Sequence, residues 1–240
     1  MKKEKILGID VSILDYKKLE KSVEKDIKDN KKSFIVAINP EKILKARKDS
    51  NLKELLNSAT YQIPDGIGVI YASKIQKGKI KSRVTGIDCM EMLCELSNKK
   101  GYKIFMYGAK EKVIIKAKEK LEEKYPKIKI VGTINGYEPD NEKIIKAINK
   151  SKADIIFVAM GSPKQELWIT NNMDKLCVKI YQGVGGSFDV LSGNIKRAPK
   201  WIQDNGLEWL YRLVKEPKRI FRQMKLFKFL LLMLFKGKSE

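Results

Sequence analysis

The sequence predicts an α/β protein: a Rossmann-like, mostly parallel sheet covered by helices, with a helical C-terminal appendage. Three observations carry this. Short apolar, β-branched or aromatic runs alternate with segments of helical period. Nearly every run ends in glycine beside a polar residue. From residue 196 onward the chain turns basic and amphipathic.

The strands are read in chain order at Ser33–Ile38 and at residues 61–63, 103–107, 129–133, 154–159 and 178–182. Between the later runs, residues 110–124, 141–150 and 163–173 carry apolar side chains at three-to-four spacing with charged residues opposite, as surface helices do. Strands that alternate with helices and are themselves mostly apolar imply parallel pairing, with both sheet faces covered. Such folds bind ligands at the carboxyl ends of their strands.

The chain has 240 residues, enough for one main domain and a small appendage. Residues 1–195 read as the core and 196–240 as the appendage. Hydrophobic residues make up 43% and charged residues 33%, which excludes a disordered or collagen-like chain. There is no histidine. Ser-His-Asp and Cys-His nucleophile pairs and histidine-based zinc sites are therefore excluded, and a general base has to be a carboxylate or, less often, Lys, Tyr or Cys. Cys89, Cys94 and Cys177 are odd in number and show no CxxC spacing, so neither a disulfide framework nor a structural metal is expected. Their usage, and the lack of an apolar run after Met1-Lys-Lys-Glu-Lys-Ile6, predict a cytoplasmic protein without a secretory signal.

The formal charge is +21, with fifty basic residues of which only six are arginine. Four of the six, Arg197, Arg212, Arg219 and Arg222, lie beyond residue 195, which concentrates guanidinium forks there. A nucleic-acid-binding module is the reading from another class. It lacks a recognisable reader motif and does not account for the glycine-bearing strand ends, so no nucleic-acid partner is expected.

Those strand ends read Asn39-Pro-Glu41, Pro64-Asp-Gly-Ile-Gly68, Gly108-Ala109, Ile134-Asn-Gly-Tyr137, Met160-Gly-Ser-Pro-Lys-Gln-Glu166 and Gly183-Val-Gly-Gly-Ser-Phe-Asp189. Neither Gly66-Ile-Gly68 nor Gly183-Val-Gly185 completes a dinucleotide fingerprint, and Walker A is absent. A glycine-rich strand end still holds a diphosphate through backbone N–H groups at a helix N-terminus, which suits one nucleotide rather than two.

Together with Arg83-Val-Thr-Gly-Ile-Asp88, Gly132 to Tyr137, and the extensions of the last two loops to Trp168 and Gly193, this ordered set resembles the WecG/TagA/CpsF glycosyltransferase family, on its TagA-like branch. The resemblance implies an inverting transferase that moves N-acetylmannosamine from a UDP-sugar donor to a polyprenyl-diphosphate-linked N-acetylglucosamine, an early step in a cell-wall or surface glycopolymer. Related branches use UDP-N-acetylmannosaminuronic acid or UDP-glucose, and a uronate donor would want an additional cation facing the sugar.

Inverting transfer needs a base for the acceptor hydroxyl and cations or N–H donors for the departing UDP. The resemblance implies Asp65 as that base; the alternative is a Pro-Asp-Gly turn in which Asp65 caps the helix from Gly66. Asn39 is a candidate for a sugar hydroxyl or acetamido group, and equally an N-cap before Pro40. Ala37 stands two positions earlier, where family members commonly carry Thr. Arg83 matches a family active-site arginine that forks onto diphosphate oxygens, its alternative being a surface ion pair. Gln165 sits at a helix start facing an anion, with Lys164 and Glu166 weaker candidates because charges in a first helical turn are usually solvated. Gly185 and Gly186 are assigned to the nucleotide, Asp189 to ribose or uracil by resemblance, and Gly108 and Tyr137 to neighbouring positions. No DxD-type motif stands at a strand end. Transfer is expected to need neither a cofactor nor an obligatory divalent ion.

In the appendage, Leu210, Leu213, Val214, Pro217, Ile220, Phe221 and Met224 fall on one helical arc, and Arg212, Lys215, Lys218, Arg219, Arg222 and Lys225 on the other. Pro217 divides two helices. Residues 229–235 are apolar all round but number only seven, against the roughly 20 that span a bilayer. The segment reads as an interfacial element on an anionic membrane surface, at the inner face of the cell membrane. Arg212, Arg219 and Arg222 are candidates for acceptor diphosphate. The alternative is that the apolar arc packs on the core or on another subunit, which leaves a homo-oligomer possible.

Overall fold

The computed structural model describes residues 1–215 and 220–236. Two short strands, β1 (Lys3–Ile6) and β2 (Ile9–Ser12), open the chain as an antiparallel hairpin. Leu7 and Gly8 form its two-residue turn with φ of 48° and 82°. That pair of left-handed residues matches the twist of the flanking strands. The hairpin is absent from the sequence reading, because Lys3-Glu-Lys shows no apolar alternation.

Six parallel strands form the main sheet: β3 (Ser33–Ile38), β4 (Tyr61–Pro64), β5 (Lys103–Gly108), β6 (Lys129–Ile134), β7 (Ile155–Ala159) and β8 (Ile180–Gly183). Their order is β4-β3-β8-β7-β5-β6, with every neighbouring pair parallel. The helices before β5 are α1 (Tyr16–Lys28), α2 (Pro40–Ala46), α3 (Ser50–Asn57), α4 (Ile67–Ile75) and α5 (Gly86–Lys100). Then follow α6 (Glu111–Lys124), α7 (Asn141–Ser151), α8 (Lys164–Asn172), α9 (Ser187–Leu191), α10 (Lys200–Asp204), α11 (Glu208–Lys215) and α12 (Ile220–Lys236). The expected α/β class, the six core strands and the three surface helices are all present.

Alternation along the strands divides the core into two layers. Phe34, Val36 and Ile38 of β3 face one cluster with Val158, Tyr181 and the apolar sides of α2, α3, α4 and α7. Ile35, Ile63, Met106, Phe157 and Ile180 face the other, under α1, α5 and α6.

The C-terminal helices do not stand clear of this core. α12 lies on α2 and α4, with Phe229 and Met233, one turn apart and hence on one face, fully buried in the first cluster. Lys225 Nζ ties the helix to Glu41 Oε1 of α2 at 3.2 Å. On its other side Phe227, Leu231, Leu234 and Phe235 are 62, 54, 54 and 79% exposed. One stripe of the apolar run therefore packs on the core, and the rest faces outward. Among the described residues no helix is long and apolar enough to cross a membrane.

Candidate active site

β3 leads into α2 on one face of the sheet, and its neighbour β8 leads into α9 on the other. The loops part at that point and leave a crevice at the strands' carboxyl ends. The crevice is a cleft of about 640 Å³. Asn39, Asp65, Arg83, Gln165, Gly185 and Gly186 all line it, and so do Ala37 and Lys42. Trp209 and Leu226 of the C-terminal helices complete its rim.

Asp65 follows the last residue of β4, and its N–H donates to Ile38 O at 2.8 Å, which fixes it beside the end of β3. It is not a helix cap. Gly66 takes the N-cap position of α4 with φ 93° and no side-chain hydrogen bond. Asn39 does cap its helix, Oδ1 accepting from Lys42 N at 2.9 Å, with Pro40 in the first turn. Arg83 makes no ion pair with any described residue, so the surface-pair alternative is not realised among them. Gln165 is 4% exposed and joins α8 to the loop after β8: its Oε1 accepts from Gly185 N at 2.9 Å.

Four expected residues lie elsewhere. Gly108 ends β5, away from the cleft, and its φ of 114° and the Ala159 carbonyl 2.4 Å from where a Cβ would sit give it a backbone reason to be glycine. Tyr137 is 71% exposed in the loop after β6. Lys164 is exposed at the start of α8 and Asp189 sits in α9, both outside the cleft lining. Arg219 lies outside the described residues, as do the side chains of Arg212 and Arg222.

Two groups were not anticipated. Glu166, a weaker candidate because first-turn charges are usually solvated, is fully buried and paired with Lys42, Nζ to Oε1 at 2.8 Å. Its partner is 124 residues away, so no local signal marks it. Arg197, counted among the anion-binding forks, is instead held by Asp88 and Glu208. Thr85, which caps α5, and Tyr16 complete that cluster: Tyr16 Oη accepts from Thr85 N at 3.0 Å. Beneath the cleft the Cys89 thiol is pushed up by burial and, less, by the charges of Asp88 and Asp65, so it is no nucleophile. Among the described residues no three His, Cys, Asp or Glu side chains gather as metal ligands would.

Residues 4–240 match the model of the glycosyl transferase WecG/TagA/CpsF family. The chain belongs to that family. It is 38% identical over 230 residues to the N-acetylglucosaminyldiphosphoundecaprenol N-acetyl-beta-D-mannosaminyltransferase of Bacillus subtilis (strain 168), covering 95% of this chain and 88% of the relative. The protein of the same name from Bacillus spizizenii (strain ATCC 23059 / NRRL B-14472 / W23) is also 38% identical, over 200 residues, 83% of this chain and 78% of its own. As a WecG/TagA/CpsF glycosyltransferase, the protein presents the parts that glycosyl transfer asks for in one crevice: a carboxylate, a guanidinium with no ion-pair partner among the described residues, and a glycine-rich loop.

Proposed function

We propose that the protein is an inverting glycosyltransferase that moves N-acetylmannosamine from UDP-N-acetylmannosamine to undecaprenyl-diphosphate-linked N-acetylglucosamine, in wall teichoic acid or related surface polymer synthesis. The observation that carries this is the placing of Asp65 and Arg83 in one cleft at the switch point of the sheet, in a chain that aligns with the Bacillus transferases over nearly its whole length.

The step is a single displacement. The acceptor hydroxyl oxygen forms a bond to the anomeric carbon as the bond from that carbon to the UDP oxygen breaks. The hydroxyl proton passes to the Asp65 carboxylate, and UDP leaves with its bonding electron pair. Arg83 meets the charge that grows on the diphosphate, and the loop carrying Gly185 and Gly186 borders the nucleotide. Asn39 keeps its Nδ2 amide for the sugar, because the helix cap uses only Oδ1. The leaving charge is met by protein groups, so the reaction needs no divalent ion.

The acceptor's lipid places the enzyme at a membrane surface. Phe227, Leu231, Leu234 and Phe235 on the outer side of α12 enter the interface of an anionic leaflet, at the inner face of the cell membrane, while Phe229 and Met233 hold the helix to the core. Arg212, Arg219 and Arg222 take the acceptor diphosphate.

The test is UDP release from purified protein given UDP-N-acetylmannosamine, with and without the lipid-linked acceptor. Release that needs both is expected. Binding of UDP without turnover would move the assignment to a uronate or glucose donor, and no affinity for UDP would end it.

A further inference from the structure

Behind the cleft wall a chain of contacts links three elements of the site. Lys42 is held at both ends, its N–H by Asn39 Oδ1 at 2.9 Å and its Nζ by Glu166 Oε1 at 2.8 Å. Gln165 Nε2 donates to the same Glu166 oxygen at 3.2 Å, and Gln165 Oε1 accepts from Gly185 N at 2.9 Å. Lys42, Gln165 and Glu166 are 8, 4 and 0% exposed. The second oxygen of Glu166, Oε2, is buried with no partner among the described residues.

An ion pair this deep is a weak source of stability, since desolvating two charges offsets most of their attraction. The orphaned oxygen adds to that cost. What the pair supplies is orientation. A primary amide has a donor end and an acceptor end, and a carboxylate against the Nε2 end of Gln165 permits only one of its two flips. The acceptor end then faces Gly185 and ties the loop after β8 to α8, while Lys42 ties both to the helix that starts at Asn39.

We infer that Lys42 and Glu166 are positioning residues for donor binding: acting through Gln165, they fix the Gly185 loop at the cleft. This rests on the proposed reading for the identity of the donor, but the geometry it asserts is independent of it.

Glu166→Gln keeps the shape and removes the anion, so that either flip of Gln165 becomes available. The Gly185 amide should then exchange with solvent at least ~10-fold faster in native-state hydrogen exchange. kcat/KM for the UDP-sugar should fall by about 10–100-fold, with acceptor KM within about twofold of wild type. The single variant leaves Lys42 buried without its partner, so Lys42→Met/Glu166→Gln is measured beside it. The double variant should regain Tm but neither Gly185 protection nor donor kcat/KM. Unchanged Gly185 exchange in Glu166→Gln, or protection that returns with Tm in the double variant, would show that the pair serves only to neutralise charge and would overturn the inference. Hydrogen exchange reads the loop without substrate, so a wild-type protein that fails to bind UDP is a separate result against the functional reading alone.

Discussion

Arg197 grips Asp88 with both terminal guanidinium nitrogens, Nη1 to Oδ1 at 2.6 Å and Nη2 to Oδ2 at 2.9 Å. Thr85 Oγ1 donates to the same carboxylate at 2.6 Å, and Arg197 Nε lies 3.6 Å from Glu208. The segment leading to the C-terminal helices is thereby clamped to the start of α5, beside the cleft that Thr85 and Glu208 line.

Burial by itself would raise the Asp88 pKa, but the hydrogen bonds from Arg197 and Thr85 outweigh it and hold the carboxyl below its ordinary value. A depressed folded pKa contributes stability that is present above the unfolded value, near 4, and is lost as pH falls through the folded one. Arg197→Gln should therefore cost about 1–3 kcal/mol at neutral pH. In thermal melts the gap to wild type should stay constant from about pH 8 to 5 and close below about pH 4. A gap that persists undiminished in acid would show that the clamp acts by packing alone.

Arg83 gives the opposite pattern. With no ion pair to any described residue, its replacement by Ala should change stability by less than about 0.5 kcal/mol. UDP affinity should nevertheless fall at least ~10-fold, because a charge-assisted fork onto the diphosphate is lost. Isothermal titration with UDP checks this, and unaltered affinity would place the diphosphate elsewhere.

The two sides of α12 separate in the same way. Phe229→Ala empties a fully buried site and should cost about 3–5 kcal/mol. Phe227→Ser with Leu234→Ser changes only exposed positions and should leave Tm nearly unchanged while weakening flotation with phosphatidylglycerol vesicles. Equal vesicle binding by this variant and wild type would remove the outer stripe from the membrane account.

The apolar parallel strands were legible because burial on both faces writes β-branched runs into the sequence, as in Ile155-Ile-Phe-Val-Ala159. The hairpin was not, since its strands are four residues each and mixed in charge. The site was legible as a set of strand ends but not as a cleft, because strand order is a tertiary property. Gly108 ends β5 and Tyr137 follows β6, the far end of the order β4-β3-β8-β7-β5-β6, whereas the cleft gathers the ends of β4, β3, β8 and β7. The pairing of Lys42 with Glu166 was illegible for the same reason: a charge in a first helical turn is normally solvated, and only the closeness of α2 to α8 buries this one.

Chelation tests how the leaving group is held. Turnover in excess EDTA should stay within about twofold of the untreated rate if protein donors meet the diphosphate charge. Complete loss that Mg²⁺ restores would require a metal in the transfer step.

The most direct measurement compares wild type with Asp65→Asn for both UDP affinity and lipid-linked product formation. UDP binding should be unchanged and turnover reduced at least ~10²-fold, the loss expected when a general base is removed. Near-normal turnover by Asp65→Asn would contradict it, and the proton of the acceptor hydroxyl would then have to leave by another group in the cleft.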